Sequence, residues 1–135
     1  MATEGTPETM EREVYIASVN GDITLFSNPI KNDQLLKKTH QNNNILHISA
    51  QNKREYFIKA GLNNFSKHTC QTLICQQNWI GNTPLHIAAE VGYEPVVELL
   101  CKYCSDEVVG GVLPWRMVNS DGNTPAHVAL LAAFR

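Results

Sequence analysis

The sequence predicts an all-α solenoid, a stack of short helix pairs none of which buries its own apolar face. Three observations lead there. First, the chain repeats itself. When NNNILHISAQNKREYFIKAG (42–61), GNTPLHIAAEVGYEPVVELL (81–100) and GNTPAHVALLAAFR (122–135) are overlaid, His47, His86 and His127 coincide, as do Ile48, Ile87 and Val128. Self-similarity at this interval marks stacked supersecondary units. Second, Thr-Pro before an apolar run reads as a helix start, and a glycine shortly after it as the stop. Third, 135 residues with 43% hydrophobic and 18% charged content suit one folded domain with a core rather than a disordered chain.

Residues 1–11, within MATEGTPETMERE, are polar and acidic and are expected to form a disordered tail. The first unit, about 12–41, is degenerate. Tyr15 stands in the histidine column, Ala17 and Ser18 in the small-residue columns, and Gly21 where Gly92 falls later. Leu25 and Phe26 match Val96 and Val97, which predicts a second helix there. In the second unit, 42–80, Asn44-Ile45 replaces Thr-Pro, Lys53 replaces the turn glycine, and 62–76 reads as an insertion.

The third unit, 81–121, is the fullest. Thr83 caps a helix through its hydroxyl and Pro84 takes the first helical position. Leu85, Ala88 and Ala89 give that helix a small apolar face, and Gly92 ends it in a left-handed conformation. A second helix starts near Glu94-Pro95, with Val96, Val97, Leu99 and Leu100 at helical spacing. Residues 105–116 read as another insertion. The fourth unit, 122–135, has only its first helix, which predicts Val128, Leu131 and Phe134 partly uncovered and a frayed, self-associating end.

These residues resemble the ankyrin repeat. GNTPLHIAAEVGYEPVVELL carries that family's T-P-L-H-x-A-A pattern, its glycine and its V-V-x-L-L stripe, and GNTPAHVAL is a second match. The resemblance covers about 12–135 and implies a solenoid of about four units, the last incomplete. It implies a structural role for Thr83, Pro84, Leu85, His86, Gly92, His47, Thr124, Pro125 and His127, each histidine bonding back to the Thr hydroxyl and to the backbone of an adjoining loop. It also implies a concave protein-binding face made of loop tips and first helices. Carried across, that face comprises Trp79, Ile80, Asn82, Glu90 and Val91, then Ser120, Asp121 and Asn123, and in the second unit His40, Gln41 and Asn43. GGVLPWRMVNSDGNTPAH and THQNNNILHISAQN are similar to the plant ankyrin-repeat proteins whose repeats precede a membrane-anchored segment. Members of that group are implicated in defence and stress signalling, and on this likeness the chain is a truncated product.

Other chemistries fit less well. Histidines recurring in one structural column point to architecture, since a catalytic base needs one partner set. Cys101-Lys-Tyr-Cys104 and Cys70 with Cys75 could hold zinc, but Cys101 and Cys104 end a predicted helix and read as small packing residues. No P-loop, dinucleotide fingerprint or G-x-S-x-G elbow is present, so no catalytic residue, metal or cofactor is expected. A net charge of −2 excludes the basic footprint of a nucleic-acid binder. No apolar run of about 18 residues inserts this chain into a membrane, and no signal peptide opens it. The expected setting is the cytoplasm, with reduced thiols, and the expected partner is another protein.

Overall fold

The computed structural model describes residues 9–27, 32–104 and 113–134. These form eight α-helices: α1 (Arg12–Asn20), α2 (Asn32–Leu35), α3 (Ile45–Gln51), α4 (Glu55–Asn64), α5 (Lys67–Cys75), α6 (Pro84–Val91), α7 (Glu94–Cys104) and α8 (Pro125–Ala133). Among the described residues the only β pairing is an isolated bridge between Thr9 and Lys38. Among them, too, no helix is long and apolar enough to cross a membrane.

The first helices make one layer: α1 packs on α3, α3 on α6, and α6 on α8. The second helices make the other, with α7 against α4. The core lies between, built from Val14, Ile45, Leu46, Phe57, Ile58, Leu85, Ala88, Val96 and Leu100. Each large aliphatic or aromatic side chain removed from water there contributes roughly 1.5–3 kcal/mol. The helix ends are where the residues put them. Gly21 and Gly92 stop α1 and α6 at φ 73° and 75°, and Lys53 holds the same position after α3 at φ 62°. Each is the sixth residue after the histidine column, so the turn survives even where glycine does not.

The structure departs from the pattern in the first two units. In the first, Leu25 and Phe26 lie on a 3-10 turn, Ile23–Ser27, rather than on a full second helix. That turn still fills the second-helix layer, packing against α4. Phe26 sits 4.9 Å from the Phe57 ring centre and 6.2 Å, edge-on, from Phe65. Gly61 leaves room for it, since a Cβ there would approach Phe26 to 3.0 Å. In the second unit, α4 runs on to Asn64, and most of the remaining stretch to residue 76 is a helix, not an irregular insertion. Ser66 caps α5 through the Thr69 N–H, and Cys70, Leu73 and Ile74 bury its inner face. Asn44 ties α5 to the stack: its Nδ2 donates to Leu73 O at 3.0 Å and to Gln76 Oε1 at 2.8 Å. A threonine at that position has no amide to make those bonds.

Two end regions also differ from expectation. Met10 N–H donates to Lys38 O at 2.9 Å, so the stretch assigned to the tail joins the stack before Arg12; residues 1–8 lie outside the described residues. In α8, Val128 is buried against the preceding unit rather than uncovered, whereas Leu131 and Phe134 are 55% and 82% exposed. Cys70 is buried, Cys75 half-buried and Cys101 exposed, so Cys101 does not act as a packing residue. The Cys104 side chain and residues 105–112, most of the second stretch read as an insertion, lie outside the described residues.

Candidate protein-binding face

Three turns of one design precede the first helices: Thr39–Asn43, Asn78–Asn82 and Asn119–Asn123. In the second of these, Asn78 N–H donates to Asn82 O and Gly81 N–H to Asn78 O, both at 2.9 Å. The Asn78 side chain closes the loop from within, its Oδ1 accepting from Ile80 N–H at 3.1 Å and Asn82 N–H at 2.9 Å. Asn119 makes the same pair of bonds with Asp121 and Asn123. In the first turn the Thr39 hydroxyl does part of the work, accepting from Asn43 N–H. The design demands one left-handed residue per turn, met by Asn42 (φ 63°), Gly81 (φ 78°) and Gly122 (φ 77°).

The turns are also bonded to one another. Trp79 N–H donates to Gln41 O at 2.9 Å, and Ser120 N–H to Ile80 O at 3.0 Å. Side chains run in parallel: Asn78 Nδ2 to Asn43 Oδ1 at 2.8 Å, and Asn119 Nδ2 to Asn82 Oδ1 at 3.0 Å. The histidines complete the ladder. Asn44 N–H and Thr83 N–H donate to Nδ1 of His47 and His86, at 3.0 and 3.1 Å, so the ring proton sits on Nε2. That Nε2 donates across the junction, from His47 to Asn82 O and from His86 to Asn123 O, each at 2.9 Å. Burial pushes the His47 pKa down to about 4 and lowers that of His86. Both rings are neutral struts with both nitrogens occupied, which leaves neither free to take a proton from a substrate. His127 has the same local cap, Thr124 Oγ1 and its Nδ1 lying 2.7 Å apart, but the ring is exposed.

Between the turns and the first helices runs a groove. One part is lined by Tyr15, Gln41, Ile48, Gln51, Ile80, Ile87 and Glu90 among others, and the next by Ile80, Glu90, Asp121, Val128 and Leu131. Ile80, Asn82 and Glu90 line both, so the groove is continuous. On its rim Trp79 is 72% and Ile80 59% exposed. Ser120, Asp121, Glu90, His40 and Gln41 are exposed as well. Asn82 is not: it is 6% exposed, with its carbonyl and side chain taken up by the ladder. Asn43 and Asn123 are half-buried, the Asn43 Oδ1 being taken by Asn78 and the Asn123 carbonyl by His86, and Val91 leans into the core. Gln51, Ile48, Ile87 and Val128 belong to the groove and are absent from the set carried over by resemblance. They stand one or four residues after the histidine column, and that fixed offset is the signal that could have found them.

Among the described residues, no thiol lines either part of the groove. Burial raises the pKa of Cys70, whose Sγ donates to Leu62 O, and that of Cys75. Among the described residues no three His, Cys, Asp or Glu side chains converge as they would around a metal ion.

The family model described as "Ankyrin repeats (3 copies)" matches residues 14–109 and 57–133. Among solved structures, the chain is similar to one in the crystal structure of the yeast ribosomal protein Rps3 in complex with its chaperone Yar1. The TM-score is 0.72 and the identity 21%, over 90% of this chain and 83% of that one. At that identity the likeness speaks for the fold alone. No curated protein matches.

Proposed function

This chain belongs to the ankyrin-repeat family, and from that premise we propose that it is a non-catalytic module that binds another protein through the turn rim and the groove behind it. One observation carries the reading: Trp79 and Ile80 are exposed, yet their backbone is bonded to the turns on either side. An aromatic and an aliphatic side chain held outward on a rigid frame are the form of a binding anchor, because little ordering entropy remains to be lost on contact. Exposed apolar residues on a loop otherwise cost solubility without structural return. The crystal structure it resembles is itself a complex of two proteins.

The test is capture of partners from native extract with the wild-type chain and with Trp79→Ala, followed by calorimetry on whatever is retained. Trp79→Ala should weaken binding by about 2 kcal/mol or more while changing stability by no more than about 0.5 kcal/mol. Equal retention by both proteins would remove Trp79 from the site.

A second reading places the stack on the cytosolic side of a membrane-anchored plant defence or stress-signalling protein. It rests on the likeness of 110–127 and 39–52 to that group, and sequencing the transcript past the Arg135 codon tests it.

A further inference from the structure

The fourth residue before the histidine is asparagine in the second and third units, Asn43 and Asn82, and the turn bonds fix which way each carboxamide faces. Asn78 Oδ1 accepts from Ile80 N–H and Asn82 N–H. The other end of that carboxamide is therefore the amino group, and it donates to Asn43 at 2.8 Å. The atom it meets on Asn43 must be the oxygen. Asn119 repeats the arrangement one unit on. Its Oδ1 accepts from Asp121 N–H and Asn123 N–H, and its Nδ2 donates to Asn82 Oδ1 at 3.0 Å. Asn43 and Asn82 are thus held by their oxygens, with each Nδ2 at the opposite end.

The ladder makes no use of that Nδ2, since an aspartate would supply the same oxygen. Among the described residues neither Nδ2 meets an acceptor, and no unbonded side-chain nitrogen is sealed from solvent. Both amino groups therefore reach water. Asn43 and Asn82 line the first part of the groove, and Asn82 the second as well. Asn82 is only 6% exposed, so what it shows to solvent it shows to the groove. The groove floor thus carries two oriented N–H donors, one per unit, with no structural employment.

Their spacing selects the acceptor. Asn43 and Asn82 each stand two residues before a first helix, α3 and α6, and those helices pack together. Packed helices lie about 8–10 Å apart. One carboxylate does not span two donors at that separation. A main chain does, whatever its sequence, if carbonyls facing the same way recur at that interval. In a β-strand they recur every two residues, about 6.6 Å. In an α-helix they are already bonded. In a polyproline II helix they recur every three residues, about 9.3 Å, with the backbone free of internal bonds. Tyr15, 47% exposed, lines the same part of the groove, and aromatic side chains beside such donors suit a proline-bearing segment.

We infer that the groove holds a partner segment in the polyproline II conformation, whose main-chain carbonyls three residues apart accept from Nδ2 of Asn43 and Asn82. This deepens the protein-binding reading above and rests on it. The donors ask for carbonyls and not for N–H groups, so proline is admitted along the segment.

The experiment is selection of a phage-displayed random dodecapeptide library on the purified chain, then titration of the best synthetic peptide. The expected result is enrichment of proline. Asn82→Asp and Asn43→Asp keep the oxygen that the ladder needs and put an acceptor where the donor was. Each should lower affinity about tenfold. Asn64→Asp, the same change on the exposed end of α4, should stay within about twofold. Proton–nitrogen NMR on the wild-type chain asks the same question without a variant: the side-chain amide signals of Asn43 and Asn82 should shift as peptide is added. Peptides without proline enrichment, binding indifferent to both aspartate variants, or unmoved Asn43 and Asn82 amide signals would overturn the inference. If such binding is still lost in Trp79→Ala, the protein-binding reading stands and only its chemistry is wrong. If it persists in Trp79→Ala, or if the library yields no binder, both fail.

Discussion

GNTPLHI at 81–87 and GNTPAHV at 122–128 are nearly the same words, and the molecule uses them differently. Both build a turn closed by an asparagine, a left-handed glycine, a threonine cap and a histidine folded back on that cap. In the first, His86 is buried and donates to Asn123 O, and Gly81 lies under the following turn. In the second, His127 is exposed, and nothing stands within 4 Å of where a Gly122 Cβ would be. The motif thus encodes a helix start by itself. The work between units is added only where a neighbouring turn receives it.

The comparison is broken most strongly at the glycines. A Cβ at Gly81 would stand 2.8 Å from Ser120 N and 2.9 Å from Asn119 Cα, both backbone atoms that cannot rotate away. Gly81→Ala should cost about 4 kcal/mol, the left-handed strain added to overpacking. Gly122→Ala carries the strain alone and should cost about 1 kcal/mol. Urea denaturation of the two variants measures the difference, and equal losses would mean that the turns do not rest on each other as described.

Acid acts on the same junctions. His47 has a folded pKa of about 4 against an ordinary 6.5, with burial the main cause. Above pH 6.5 both folded and unfolded rings are neutral and the full stability is present. As pH falls from 6.5 towards about 4, the unfolded chain takes up a proton that the folded chain refuses, and stability drains away, by up to about 3 kcal/mol for this one ring. Urea melts at pH 7.0, 5.5 and 4.5 should show that decline, and a His47→Gln variant should flatten it. An unchanged slope in the variant would place the acid sensitivity elsewhere.

The histidines themselves sharpen the contrast. His86→Ala opens a cavity and strands Thr83 N–H and Asn123 O, for a loss of about 3 kcal/mol. His127→Ala loses only a local, solvated cap and should cost about 1 kcal/mol or less. Thermal melts of the pair decide it, and similar shifts in Tm would show that position in the stack does not matter.

This division explains what could be read from the letters. Thr83, Pro84, His86 and Gly92 act within a few residues of themselves, so their roles are legible locally. Asn82 reads as a rim residue and is not one, because its burial comes from His47 and Asn119, both more than thirty residues away, which a single turn does not reveal. The helix α5 has local signs in Ser66 and in the Cys70, Leu73, Ile74 spacing. They are obscured because the ankyrin frame offers no place for a third helix in a unit. Trp79 and Ile80 are legible as rim residues because large apolar side chains in a turn have few other uses.

The smallest effect concerns the end of the first helices rather than their start. Gly92 and Lys53 hold the same left-handed position, φ 75° and 62°, in the third and second units. A side chain there costs about 1 kcal/mol, and nothing within 4 Å would obstruct a Cβ at Gly92. Gly92→Ala should therefore lose about 1 kcal/mol by backbone strain alone. Lys53→Gly should relieve the corresponding strain, less what Lys53 Nζ gains from the Tyr93 ring, whose centre is 5.9 Å away. At an exposed site that contact is worth about 0.5 kcal/mol. The net gain expected in urea denaturation is about 0.5 kcal/mol. A Lys53→Gly variant less stable than wild type would mean that the lysine is kept for its contact with Tyr93, so the second unit's departure from glycine would be a bond between units and not a tolerated defect.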